Sequence, residues 1–126
     1  NLTGTIVQKF QNSYSIGLWH EIKAQKLLES KGYTTLHHNY RGQVAQIDLI
    51  MKSKKYLAFV EVKKTNSKYK HNTLEKFLRK QKQRILGELY LFYKTKPDFK
   101  HYKPILILLI FAKTKQPDLY LYYLTP

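Results

Sequence analysis

An α/β domain with a mixed sheet covered by helices is the fold class this sequence predicts. Three observations predict it. The periodic segments run helix, three strands, helix, two strands; the run Ile105–Ala112 is continuously apolar, as in strands buried on both faces; and no Pro-, Gly- or Ser-rich linker divides 126 residues, enough for one core. The expectation is one domain over 1–126.

Residues 1–14 show no clear period and are expected as a flexible arm or a short helix. Ser15 suits the cap of a helix running to about Lys31, with Gly32 ending it. At 100° per residue Ile16, Ala24, Leu27 and Leu28 share one arc, Glu21 falls at its edge and Glu29 on the far side. His20 lies inside the arc and reads as a satisfied, partly buried histidine. Tyr33–Tyr40 is strand-like; His37 and His38 within it face opposite ways and read as structural or phosphate contacts. After Gly42, the run Val44–Met51 and the run beginning Tyr56-Leu57-Ala58-Phe59-Val60 form a hairpin across Lys52–Lys55. Lys64–Asn72 is polar and basic, a loop.

A second helix is expected from about Thr73 to Tyr93. Leu74, Phe77, Leu78, Ile85, Leu89 and Phe92 make its buried stripe, with Lys76, Arg79, Lys80 and Arg84 mostly outside it. Gln81 falls within the stripe and Lys82 on its shoulder, as a phosphate contact or a snorkelling lysine. Pro97 and Pro104 bound a basic connector to Ile105–Ala112, and Leu119–Tyr123 forms the last strand.

The chemistry concentrates at Asp48 and at Glu61-Val62-Lys63, thirteen residues on. Period 2 places Glu61 and Lys63 on one face at the end of an apolar strand, where charge is costly without a purpose. With Met51 paired to Tyr56, Asp48 lies opposite Phe59, one diagonal step, roughly 7 Å, from Glu61. Two carboxylates so placed can converge on one divalent cation such as Mg²⁺ or Mn²⁺, and the lysine can orient water or stabilise charge on a phosphate. The plainer alternative is a cross-strand ion pair, which needs only one acid and one lysine.

Composition bears on that choice. Lys and Arg number 23 against 8 Asp and Glu, a net charge of +15, which points to a polyanion and first to nucleic acid. An anionic membrane surface is the rival partner, but no basic amphipathic helix has a bulky apolar face free of core duties. In so basic a chain, Glu21, Asp48 and Glu61 stand out beside apolar residues; the other acids read as ordinary surface groups. The absence of cysteine excludes disulfides, thiol nucleophiles and Cys-ligated metals. The longest apolar run is far short of a membrane span and no signal-peptide pattern is present, so a soluble, cytoplasmic protein is expected.

Gly17-x-x-x-Glu21-x-x-Ala24, Gly32-Tyr33, Ile47-Asp48-Leu49-Ile50 and Phe59-Val60-Glu61-Val62-Lys63 resemble, in order and spacing, the YraN-type family of small bacterial predicted endonucleases. These are related to Holliday-junction resolvases of the PD-(D/E)XK nuclease superfamily. The resemblance covers about residues 16–92 and implies a restriction-endonuclease-like αβββαβ core. It implies Asp48, Glu61 and the Val62 carbonyl as metal ligands, Lys63 orienting water or stabilising the transition state, and Glu21 as a helix-borne acid completing the site. Lys82 resembles a lysine on the family's second helix. Resolvases of this kind act as dimers, with Leu119–Tyr123 a candidate contact here. One departure is Ala45-Gln46, where the family usually has Gly-Glu.

The leading expectation is thus a Mg²⁺- or Mn²⁺-dependent endonuclease acting on DNA, including branched or recombination intermediates. Lys64, Lys68, Lys70, Arg79, Lys80, Lys82 and Arg84 are its candidate phosphate contacts. The alternative is a non-catalytic nucleic-acid-binding module that keeps the fold.

Overall fold

The structure, a computed structural model, describes residues 13–65, 70–112 and 116–124, with the side chains of 13–18 and 70–74 outside that description. Most of the expected arm, Lys68, and the side chains of Ser15 and Lys70 lie outside the described residues.

Helix α1, Ser13–Ser30, ends as its glycine predicts. Gly32 has φ +98°, its N–H donates to the Glu29 carbonyl at 3.1 Å, and the Tyr33 N–H donates to the Leu28 carbonyl at 3.1 Å. These two bonds satisfy carbonyls that the helix end would otherwise orphan. Strands β1 (Thr34–Arg41), β2 (Gln46–Lys52) and β3 (Tyr56–Lys64) follow, then helix α2 (Lys70–Thr95), a short 3₁₀ turn (Pro97–Phe99), β4 (Lys103–Phe111) and β5 (Asp118–Tyr123). Helix α2 is longer than its apolar stripe predicts by about a turn at the N-terminal end.

The five strands lie in sequence order, β1-β2-β3-β4-β5. All neighbours are antiparallel except β3 and β4, which run parallel because α2 carries the chain back between them. This is the mixed α/β sheet of a restriction-endonuclease-like core. Ile105–Ile110 are fully buried, as an interior strand requires.

Each face of the sheet has its own core. On the α2 face Leu57, Phe59, Leu106, Leu108 and Ile110 pack with Phe77, Ile85, Leu89 and Phe92. On the α1 face Leu49, Met51, Ala58, Val60, Ile105, Ile107 and Leu109 pack with Ala24 and Leu28. Ile47 belongs to the first cluster and Leu49 to the second, on either side of Asp48.

The hairpin register differs from expectation. Met51 pairs with Ala58 and Lys52 with Leu57, a shift of two residues from the Met51–Tyr56 pairing. Ser53 causes it: its N–H donates to the Tyr56 carbonyl at 2.9 Å and its Oγ accepts from the Tyr56 N–H at 3.0 Å, drawing Tyr56 into the turn. A shift of two preserves facing. It moves Asp48 from the diagonal of Glu61 to the position directly across from it.

Candidate active site

The β2–β3 ladder ends at Leu49 and Val60, and the next residue on each strand is an acid. Side chains take over there from the main chain. The Val62 N–H donates to Asp48 Oδ2 at 2.8 Å, and the Asp48 N–H donates to Glu61 Oε1 at 3.4 Å. Each acid is thereby fixed by the strand that carries the other.

Little water reaches the pair. Glu61 is 7% exposed, and burial, reinforced by the Asp48 charge and partly offset by Lys63, pushes its carboxyl up to about 8. Burial also raises Asp48, against the opposing pull of the Val62 N–H, Lys63 and Glu61. Glu21, half-buried on α1, is raised to about 7, first by burial and then by the Asp48 charge, so the helix-borne acid sits within electrostatic reach of the pair. Lys63 is half-buried, its Nζ 5.4 Å from the Phe77 ring centroid, which ties the ammonium to the α2 face.

Two adjoining carboxyls, one buried and one half-buried, both raised by desolvation, demand positive charge, from protons or from a cation. The donor set fits Mg²⁺ or Mn²⁺: hard carboxylate oxygens, with the Val62 carbonyl beside them in sequence. Among the described residues no group of three or more His, Cys, Asp or Glu stands ready to hold an ion, so the donors present are the pair, with Glu21 further out. Mg²⁺ commonly uses one or two carboxylates and keeps several waters.

The basic candidates divide. Lys64, at the end of β3, and Arg79, Lys80 and Arg84, on α2, are exposed; Lys68 lies outside the described residues and Lys70 is described only in its backbone. Arg79, Lys80, Lys76 and Glu75 border an open groove of about 460 Å³. Gln81 is half-buried as the stripe predicts, and Lys82 is exposed, as the snorkelling reading has it rather than a contact on the sheet-facing side. Turned about 100° from Gln81, it has left the sheet for solvent.

Two histidines, His20 and His37, serve packing. The His20 ring meets Trp19 and Phe111 edge-on at 4.9 and 4.8 Å. His37 packs on Tyr40 at 5.1 Å, its pKa lowered by burial and then by Lys96, while His38 is exposed. Gln46 is exposed at the first position of β2, opposite Arg41 in the ladder.

One acid expected at the surface is instead buried. Glu88 is 2% exposed, and its Oε1 accepts from the Val44 N–H at 2.9 Å and the Ala45 N–H at 3.2 Å. It anchors the β1–β2 turn immediately ahead of the strand that bears Asp48. Its position was readable: three residues after Ile85 and four before Phe92, it lies on the buried stripe.

Comparison with known proteins identifies the family. The profile of Uncharacterised protein family UPF0102 matches residues 20–108. A UPF0102 protein of Aliivibrio fischeri (strain MJ11) is 32% identical over 87 residues, 69% of this chain and 70% of that protein. One from Pseudothermotoga lettingae is 35% identical over 83 residues, covering 66% and 77%. A shorter match to a UPF0102 protein of Pseudoalteromonas translucida, 45% identical over 56 residues, covers 44% of this chain and 46% of the relative. The chain belongs to the UPF0102 family, which is the YraN-type family of predicted endonucleases whose motifs it carries.

Proposed function

We propose that this protein is a Mg²⁺- or Mn²⁺-dependent endonuclease that hydrolyses phosphodiester bonds in DNA, with branched or recombination intermediates as the substrates of interest. The observation that carries the reading is the Asp48–Glu61 pair, Glu61 buried and Asp48 half-buried, cross-linked through main-chain N–H groups at the end of β2 and β3, with Lys63 beside it.

Asp48, Glu61 and the Val62 carbonyl would hold the cation. When bound, it supplies Lewis-acid stabilisation of the charge gathering on the phosphate and makes water a stronger nucleophile near neutral pH. Lys63, one strand repeat from Glu61 on the same face, presents an ammonium to a phosphate oxygen or orients the attacking water. The water oxygen bonds to phosphorus as the bond to the leaving sugar oxygen breaks, and that oxygen takes up a proton from solvent water. Glu21, raised to about 7, is suited to take the proton that the water sheds. The exposed Lys64, Arg79, Lys80, Lys82 and Arg84 would hold flanking phosphates.

The test is incubation with linear duplex, single-stranded and four-way-junction DNA, with Mg²⁺, with Mn²⁺ and with EDTA. Cutting that requires the metal and disappears in Asp48→Ala supports the reading. Cutting that persists in EDTA or in Asp48→Ala excludes it, and binding without cutting leaves the non-catalytic module.

A further inference from the structure

The opposite end of the sheet carries a second cluster of groups, remote from the carboxylate pair. Tyr56 opens β3 five residues before Glu61, so at about 3.3 Å per residue the two stand about 17 Å apart. Tyr56 pairs with Lys103 on β4, and the Lys103 N–H donates to the Lys55 carbonyl at 2.9 Å, fixing the hairpin turn against that strand. On the far side of β4, Tyr123 of β5 pairs with Ile105. Period 2 along β4 puts Lys103 on the face of Ile105, and Tyr33 and Tyr56 pack against the cluster containing Ile105.

One face of the sheet end therefore gathers three tyrosines and a lysine, with Lys55 at the margin. The Tyr56 and Tyr123 rings lie 6.1 Å apart at 52°, and Tyr33 packs with Tyr56 against the cluster around Ile105. Lys55 Nζ stands 5.5 Å from the Tyr56 ring centroid. Tyr123 is 67% exposed, which no core role explains, and Lys55 and Lys103 are exposed as well. No Asp or Glu occurs in 49–60, 99–117 or 119–126, so the stretches that build this end carry no acid to balance the lysines.

Flat aromatic faces beside uncompensated ammonium groups match a polymer that offers both ring faces and phosphates. A duplex hides its ring faces in the stack, whereas a single strand exposes them. We propose that this patch binds single-stranded nucleic acid, with bases stacking on Tyr56 and Tyr123 and phosphates held by Lys55 and Lys103, as a contact separate from the carboxylate site. The inference rests on the reading that nucleic acid is the partner, and not on hydrolysis.

Fluorescence anisotropy of a labelled oligothymidylate of about 15 nucleotides, titrated in EDTA with the full chain, tests it. Tyr123→Ala should weaken binding about tenfold and the Tyr56→Ala/Tyr123→Ala pair further, while Tyr→Phe at both positions stays within about twofold, because stacking needs the ring and not the hydroxyl. Lys55→Gln and Lys103→Gln, at exposed positions that leave folding intact, should each reduce the slope of log affinity against log salt by about 0.7. Blunt duplex affinity should barely respond to the tyrosine changes. Wild-type affinity in Tyr123→Ala, an equal loss for duplex and single strand, or an unmoved salt slope overturns the proposal. If wild type cuts no DNA yet binds with this tyrosine dependence, the hydrolytic reading fails and the patch stands. If wild type cuts DNA with metal while single-strand binding ignores the tyrosines, the patch fails and the hydrolytic reading stands.

Discussion

Glu88 occupies the space that a side chain at Gly42 would need: a Cβ built on Gly42 falls inside the Glu88 carboxyl group. The same carboxyl accepts from the Val44 and Ala45 N–H groups, so α2 fixes the β1–β2 turn through a single side chain. Gly42→Ala should destabilise the fold by about 1–3 kcal/mol through overpacking. Glu88→Ala should cost about 2–4 kcal/mol, because it leaves buried N–H groups unsatisfied and opens a void. The double variant should be less destabilised than the sum, since the clash needs both residues. Urea unfolding of the four proteins measures this cycle.

In the metal-free protein, stability should fall as pH rises from about 4.5 to 8. Folded Glu61 keeps its proton up to about 8, whereas the unfolded chain releases it near the ordinary 4.5, so the folded state binds more protons across that window. Glu21 and Asp48 are shifted in the same direction and steepen the fall. Glu61 alone contributes roughly 3–5 kcal/mol as an upper bound. Thermal unfolding in EDTA at several pH values should show the decline. Glu61→Gln should flatten it, and a hundredfold excess of Mn²⁺ over its Kd should restore about 2.7 kcal/mol at pH 8.

Lys63→Met keeps a stem able to pack on Phe77 and removes only the charge. Cutting should drop by about 10²–10³-fold with a stability change of less than about 1 kcal/mol. Because the Lys63 charge lowers the pKa of both acids, its loss should also move the acid limb of the pH–rate profile to higher pH. Single-turnover rates between pH 5 and 9 would show both effects.

Arg79→Ala and Lys80→Ala, at exposed positions bordering the groove on α2, should each weaken duplex binding and lower its salt slope by about 0.9. Cutting at saturating DNA should be unchanged. Lys82→Ala should behave likewise, as its exposure places it with the surface cations rather than with the carboxylate pair.

Much of this site was legible because it obeys local periodicity. Asp48, Glu61 and Lys63 break apolar strand runs, and period 2 aligns Glu61 with Lys63 whatever the fold around them. The partner of Asp48 was not legible, because Ser53 and Tyr56 settle the hairpin turn by hydrogen bonds that no hydrophobic pattern encodes. The two-residue slip left the facing intact, which is why the site survived it. Glu88 was lost for a different reason: its partners are main-chain N–H groups 43 and 44 residues away, and an acid in a lysine-rich helix reads as surface charge unless its place on the Ile85–Phe92 stripe is weighed first. For Lys82 periodicity left two readings open, and its exposure selects the snorkelling one, since a shoulder position leaves a long cation free to turn outward.

Calorimetric titration of Mn²⁺ into the wild-type chain and into Glu61→Gln is the most direct test of the carboxylate pair as a cation site. The predicted result is saturable binding in the wild type that Glu61→Gln abolishes or weakens by at least about tenfold, the loss of a hard oxygen ligand. Equal Mn²⁺ affinity in the two proteins would contradict it.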